Sequence, residues 1–256
     1  MSTSLPLADK VALVTGGSRG LGRAMVERFA RDGAIVVFSY RADAEAAQAT
    51  VAAVRAAGGQ AHAVQADGAS LDGIRTLFAG VDAHLASVGR PPGLDILVAN
   101  AGIMSHGTID DETEAGFDRI FDLNVKGVFF TVQQGLTRLR DHGRIVLLGT
   151  GLTRVVMPQH VTYSAAKGAV DTLTKVLAQQ LGPRGITVNT LAPGAIDTDM
   201  NPWLQSEEGQ QAMASMQAMK RVGHAADIAD VAAFLVSDDA RWVTAQRVEA
   251  SGGLRL

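Results

Sequence analysis

The sequence predicts an α/β fold: a doubly wound parallel sheet of about seven strands, Rossmann-like, with helices on both faces. Three observations lead there. Short β-branched apolar runs alternate along the whole chain with longer Ala- and Leu-rich segments. Within the runs apolar residues follow one another instead of alternating with polar ones, as strands buried on both faces require. No Pro/Ser-rich linker or low-complexity tract interrupts the pattern, so residues 1–256 read as a single domain.

The runs are residues 11–14, 35–38, 61–65, 96–99, 145–148, 187–191 and 243–248. Each of the first six is followed by a loop and a stretch of helical composition, clearest at 23–31, 44–57 and 161–181. The least regular part, 193–221, is rich in Pro, Trp, Gly and Met. A long irregular segment in a compact domain is commonly a functional lid, which places a substrate lid at about 194–221.

Composition narrows the chemistry. The chain is 47% hydrophobic and 19% charged, which is globular, and its net charge of −3 argues against a broad nucleic-acid or anionic-membrane surface. Without cysteine there is no disulfide framework, thiolate metal site or cysteine nucleophile. The six histidines show no close ligand spacing, so no metal is expected. No G-x-S-x-G elbow occurs, which removes the common hydrolase arrangement. The N-terminus has no basic segment followed by an apolar run, and no apolar window approaches the ~20 residues of a membrane span; the expectation is cytoplasmic.

The first strand leads into Thr15-Gly16-Gly17-Ser18-Arg19-Gly20-Leu21-Gly22, after which a helix begins. Glycines let the backbone turn at positive φ and approach a ligand closely. The free N–H groups at a helix start favour a phosphate. The spacing is G-x-x-x-G-x-G rather than G-x-G-x-x-G, so on its own the turn reads as nucleotide binding or as a structural tight turn.

Further pieces follow in order. Asn100-Ala101-Gly102 ends the fourth strand, Asn124 lies in the next helix, Tyr163-Ser164-Ala165-Ala166-Lys167 supplies Y-x-x-x-K, and Pro193-Gly194, with Thr198 beyond, follows the sixth strand. With the glycine turn, these resemble the short-chain dehydrogenase/reductase family, over nearly the whole chain from about residue 8 onward. Within it the chain looks like the 3-oxoacyl-carrier-protein reductases and the NADPH-dependent aldehyde and ketone reductases.

Tyr163 and Lys167, four residues apart on a helix, share one face. A cation about 4 Å from a phenol, at an effective dielectric near 20, favours phenolate by ~4 kcal/mol, or roughly three pKa units. The resemblance implies that a reduced nicotinamide gives hydride to a substrate carbonyl and Tyr163 gives the proton. Lys167 would hold the cofactor ribose and lower the tyrosine pKa, and Asn124 would support a proton-refilling water chain. The family usually places a serine 13 residues before the tyrosine to bond the substrate oxygen. Here that position is Thr150, which keeps the hydroxyl but adds a methyl group. Thr153 lies three residues off that register.

An acidic residue commonly ends the second strand of NAD-preferring members. Here Tyr40 stands there and Arg41 follows, while Arg19 lies in the glycine turn. Two guanidiniums can converge on a 2′-phosphate, so NADP(H) is expected over NAD(H). By position the resemblance adds cofactor contacts from Gly16, Ser18, Gly20, Leu21, Gly22, Asp67, Gly68, Asn100, Ala101, Gly102, Tyr163, Lys167, Pro193, Gly194, Ile196 and Thr198. Gly68 differs from the frequent valine, and Asp67 also reads as a helix cap. Substrate candidates are Leu152, Met157, His160, Met200 and Trp203, with Met213, Met216 and Met219 on a lid helix. Flexible thioethers and an indole suit an apolar or aromatic carbonyl compound, and the same methionines suit plain packing. Two other readings share the residues: an NAD(P)+-dependent alcohol or sugar dehydrogenase, and a nonenzymatic cofactor-binding sensor. The resemblance also implies a homotetramer.

Overall fold

A computed structural model describes residues 5–256; the first four residues of the expected domain lie outside the described part. Strands β1 (Val11–Val14), β2 (Ile35–Tyr40), β3 (Gln60–Gln65), β4 (Leu94–Ala99), β5 (Leu139–Leu148), β6 (Thr187–Pro193) and β7 (Arg247–Ala250) form one sheet in the order β3-β2-β1-β4-β5-β6-β7. Every neighbouring pair is parallel. Helices α1 (Gly20–Arg31), α2 (Ala44–Ala56) and α8 (Ala225–Val236) pack on one face. Helices α3 (Leu71–Ser87), α5 (Val128–Leu136) and α6 (Val161–Leu181) pack on the other. The remaining helices, α4 (Glu114–Phe121) and α7 (Glu207–Met216), flank the loops beyond the strand ends.

Successive strand residues serve opposite cores, which is why the runs are continuously apolar. Ala12 and Val14 of β1 face Met25, Phe29 and Ile228, while Val11 and Leu13 face Ile74, Phe78 and Val170. The strand order reverses between β1 and β4, which opens a crevice at their carboxyl ends, where open sheets of this type bind ligands. The loops after β1, β4, β5 and β6 meet there.

Residues 11–14 and 161–181 form a strand and a helix with the expected bounds. The last strand differs: it runs from Arg247, not 243. Ala245 has φ of 60° and donates to the Val188 carbonyl, and the Thr244 hydroxyl accepts from Val188 N–H, so this stretch turns before it can extend. Asn124 differs as well. It lies in a six-residue π-helical segment, Asp122–Gly127, between α4 and α5. Such segments add a residue to the turn and often mark functional sites.

Candidate active site

The glycine turn is tied to the end of β4 by short polar contacts. The Thr15 hydroxyl accepts from Asn100 N–H at 3.0 Å and Ala101 N–H at 2.9 Å, and Asn100 Nδ2 donates to the Thr15 carbonyl at 2.8 Å. The Ser39 hydroxyl accepts from Gly16 N–H at 3.0 Å. A Cβ on Gly22 would stand 2.0 Å from the Gly16 carbonyl oxygen, so only glycine lets α1 approach the turn so closely. Gly16 has φ of +70° and Gly20 of +53°.

This cradle fits a dinucleotide phosphate. Helices α2, α3, α4 and α7 are capped by Asp43, Ser70, Thr113 and Ser206, whereas α1, like α5 and α6, has no side-chain cap, with Arg19 standing just before its first residue. Its first N–H groups are left for an anion. Gly20 faces only the Thr198 side chain, and Ser18 is buried with its carbonyl accepting from Thr50. Leu21 packs toward the core beside Tyr40, which ends β2 half-buried. Arg41 is exposed and joins no salt bridge among the described residues; exposed Arg19 lies 3.9 Å from Asp199. Asp67 does not cap α3, a task taken by Ser70. It closes a turn through Ala69 N–H and is exposed. Gly68 abuts Leu123 at the edge of the π segment.

Gly102 marks the junction of the cofactor and catalytic candidates. A Cβ on it would meet Asn124 Oδ1 at 3.1 Å and Lys167 Nζ at 3.5 Å. Asn124 is fully buried, and its amide holds the backbone of Ile103 with bonds of 3.0 and 2.8 Å. Tyr163 and Lys167 are buried on α6, with Lys167 Nζ donating to the Leu148 carbonyl at 2.7 Å. Thr150 is buried opposite Tyr163. Its hydroxyl accepts from Leu152 N–H at 3.3 Å, which leaves the proton free to be donated. Thr153 is turned away, its hydroxyl 2.9 Å from Asp171 Oδ2.

The electrostatics correct one expectation. Burial pushes the Tyr163 phenol up to about 12, and the Thr150 hydroxyl works against that shift. Lys167 does not reverse that rise: its ammonium donates to the Leu148 carbonyl and lies 5.9 Å from the ring centroid. Burial in turn lowers Lys167 to about 8, opposed by Asp171. The pair therefore holds a protonated phenol beside a lysine that still carries its proton at neutral pH.

Pro193 ends β6, and Gly194 packs so closely on Ser251 that a Cβ would fall 2.9 Å from it. Ile196 is buried, and its carbonyl accepts from Asn201. Among the substrate candidates, Met157, Met213 and Met216 pack with Val155, Leu204 and Leu254 in a small separate core. Met213 is fully enclosed there, which settles it as packing. Met200, Trp203 and Met219 remain exposed, and Leu152 is half-buried. His160 does not stand open at the mouth. It is buried, with Nδ1 3.0 Å from the Ser105 carbonyl and its ring tilted against His106. Sequence reasoning missed Asp171, Arg247 and Glu249, which back the Thr150 loop. The carboxylate four residues after Lys167 was a signal, but no spacing links it to Arg247.

Comparison with known proteins agrees with this geometry. A family model described as enoyl-(acyl carrier protein) reductase matches residues 16–255. Versicolorin reductase 1 of Aspergillus parasiticus is 37% identical over 265 residues, covering 99% of each chain. The promiscuous reductase LugOII, which catalyses keto-reduction at C1 during lugdunomycin biosynthesis, superposes with a TM-score of 0.94 at 40% identity, covering 98% of this chain and 100% of its own. The angucycline C-6 ketoreductase LanV with bound NADP gives 0.93 at 40% identity, covering 98% and 97%. The fold and site define a nicotinamide-dependent oxidoreductase. The chain belongs to the short-chain dehydrogenase/reductase family.

The buried lysine has a consequence for stability. Its folded pKa lies below the unfolded value, so the unfolded state binds more protons between about pH 8 and 10.5, and stability rises with pH across that window. Wild type should therefore gain relative to Lys167→Met between pH 8 and 10, by up to about 3 kcal/mol. Urea unfolding at each pH checks this; parallel pH dependences would contradict it.

Proposed function

We propose that the protein reduces a ketone on a polycyclic aromatic substrate to the alcohol, with NADPH preferred over NADH. The observation that carries this reading is the convergence of Thr150, Tyr163, Lys167 and Asn124 beside an uncapped glycine cradle. The substrate class is supported by relatives that are named as versicolorin and angucycline ketoreductases. Exposed Met200 and Trp203 on the 194–221 segment support its reading as an adaptable apolar lid.

The glycine turn, with Gly16, Gly20 and Gly22, would hold the pyrophosphate, and Asp67, Asn100 and Ala101 the adenosine. Lys167 would hold the nicotinamide ribose, and Ile196 and Thr198 the carboxamide. When bound, the cofactor supplies the hydride for the carbonyl carbon. The chain's own residues then manage the charge that develops on oxygen. The Thr150 hydroxyl donates a hydrogen bond to it, aligned in advance by its bond from Leu152 N–H. The Tyr163 phenol, kept undissociated by burial, delivers its proton. Lys167, still charged at neutral pH, favours the phenolate left behind, and Asn124 orders the path by which the proton is replaced.

NADPH preference is supported by the absence of a carboxylate at Tyr40 and by exposed Arg41 and Arg19. The Arg19–Asp199 contact, exposed and long, offers little competition to a phosphate. A homotetramer is supported by apolar side chains left exposed, Phe117, Phe129 and Val176 on helices of one face and Phe234 on α8 with Trp242 in a later turn on the other. A cytoplasmic setting accords with the cofactor chemistry, and no described helix is long and apolar enough to cross a membrane.

Thr150→Ser should keep ketone reduction, whereas Thr150→Val should lower kcat by about tenfold or more. Full kcat in Thr150→Val would remove threonine from the mechanism. Arg41→Asp should raise the KM for NADPH by about tenfold and shift preference toward NADH. Steady-state kinetics with both cofactors checks this, and an unchanged KM ratio would refute the phosphate role of Arg41.

A further inference from the structure

Behind the wall formed by Thr150 and Lys167 lies a cluster of opposite charges that neither substrate nor cofactor would touch. Asp171 follows Lys167 by one helical turn and Tyr163 by two, so the three share one face of α6. Its Oδ2 accepts from the Thr153 hydroxyl at 2.9 Å and lies 3.2 Å from Arg247 Nε. Arg247, reaching in from β7, donates through Nη2 to the Thr150 carbonyl at 2.7 Å, through Nε to the Thr153 hydroxyl at 3.1 Å, and through Nη1 to Glu249 at 3.0 Å. Glu249 also holds Arg154 at 2.6 Å, and Arg154 donates to the Leu254 and Arg255 carbonyls. Residues 150–154, the loop that carries the candidate hydroxyl donor, are thereby clamped from α6, from β7 and from the C-terminal segment.

One atom in this cluster has no structural use. Asp171 Oδ1 is buried without a hydrogen-bond partner. It lies 3.2 Å from where a Cβ on Gly149 would stand, so it faces the backbone just before Thr150. A fully partnered pair would suffice to clamp a loop. The carboxylate is paired with Arg247 through Oδ2 alone, and its other oxygen is left bare toward the backbone before Thr150.

We propose that Asp171 and Arg247 are positioning residues for the reaction: Asp171 sets a negative charge one turn behind Lys167, and Arg247 fixes the Thr150 carbonyl so that the Thr150 hydroxyl points at the substrate oxygen. The inference rests on the reading of Thr150, Tyr163 and Lys167 given above. The two residues act on different parts of the site and leave different signatures. Asp171 opposes the lowering that burial imposes on Lys167, so its loss moves the lysine further down. Arg247 is a cation on the far side of Asp171, so its loss leaves the carboxylate freer to support Lys167 and moves it up. Other charges are placed elsewhere. Glu249 and Arg154 lie beyond Arg247 and pair with each other, Asp122 and Lys126 on the π segment pair together in solvent, and Glu112, in the loop before α4, accepts from the Thr162 hydroxyl.

The test uses the full-length protein with 2-tetralone and NADPH as probes. Wild type, Asp171→Asn, Asp171→Glu, Arg247→Met and Arg247→Lys are compared by thermal unfolding, NADPH binding and the pH dependence of kcat/KM. Asp171→Asn should bind NADPH as wild type does, lose about tenfold in kcat, and move the alkaline limb of kcat/KM to lower pH; Asp171→Glu should restore that limb. Arg247→Met should lower kcat with KM little changed and the limb moved up, and Arg247→Lys should recover part of the loss. Folded variants with wild-type kcat and an unmoved limb would overturn the proposal. So would a loss that follows only the fall in unfolding temperature across the set, with no limb shift in Asp171→Asn or Arg247→Met. A wild-type protein that binds NADPH but turns over neither this nor other aromatic ketones would overturn the catalytic reading itself, whereas normal wild-type turnover with unaffected variants overturns the positioning pair alone.

Discussion

The Lys167 ammonium is buried against the sheet and bonded at 2.7 Å to the carbonyl of Leu148, the last residue of β5. A charge taken out of water is costly unless it finds a partner, and here the partner is a strand end. That contact fixes the register of α6 on β5. A second buried contact two turns along, between the Thr174 and Thr190 hydroxyls at 2.7 Å, fixes it on β6. Sliding the helix by one turn would break both and strand the ammonium among apolar groups. With the register set, Tyr163 must lie over the loop that follows β5, and Thr150 must face it. The arrangement of the candidate catalytic residues is thus a by-product of how one long helix seats itself on two strands.

The cofactor side rests on a separate constraint, the contact of α1 with the glycine turn, and the two meet at one residue. Gly102 lacks a side chain where one would press on Asn124 and Lys167 together. The Thr15–Asn100 bonds carry the turn after β1 to the end of β4, and β4 delivers Gly102 to the end of α6. A parallel sheet whose order reverses between β1 and β4 makes that meeting unavoidable. Burial shifts both titratable groups of the candidate site: it pushes the phenol up to about 12 and lowers the lysine to about 8.

Most of the fold was legible because buried parallel strands leave continuous apolar runs, and the bounds of β1 and α6 followed directly. The last strand was displaced because Val243 and Val248 look like strand residues, while the positive φ at Ala245 is imposed by contacts to β6 that no local pattern encodes. The placement of Tyr163 and Lys167 on one helix face, and of the glycine turn before α1, was readable because helix period and loop spacing are local properties. The pKa direction of Tyr163 was not, since it depends on where the lysine points once buried. The same holds for Met213, whose thioether fills a small core that Met157 borders half-buried, and for Arg247, which reaches Thr150 across nearly a hundred residues.

The proposed role of Tyr163, held undissociated by burial, is to give the proton that completes ketone reduction. Replacing the phenol alone tests it most directly, because Tyr163→Phe removes one oxygen from a site that otherwise keeps its packing. Tyr163→Phe should bind NADPH normally and reduce 2-tetralone with kcat lowered by about a hundredfold or more. Retention of wild-type kcat in that variant would contradict it.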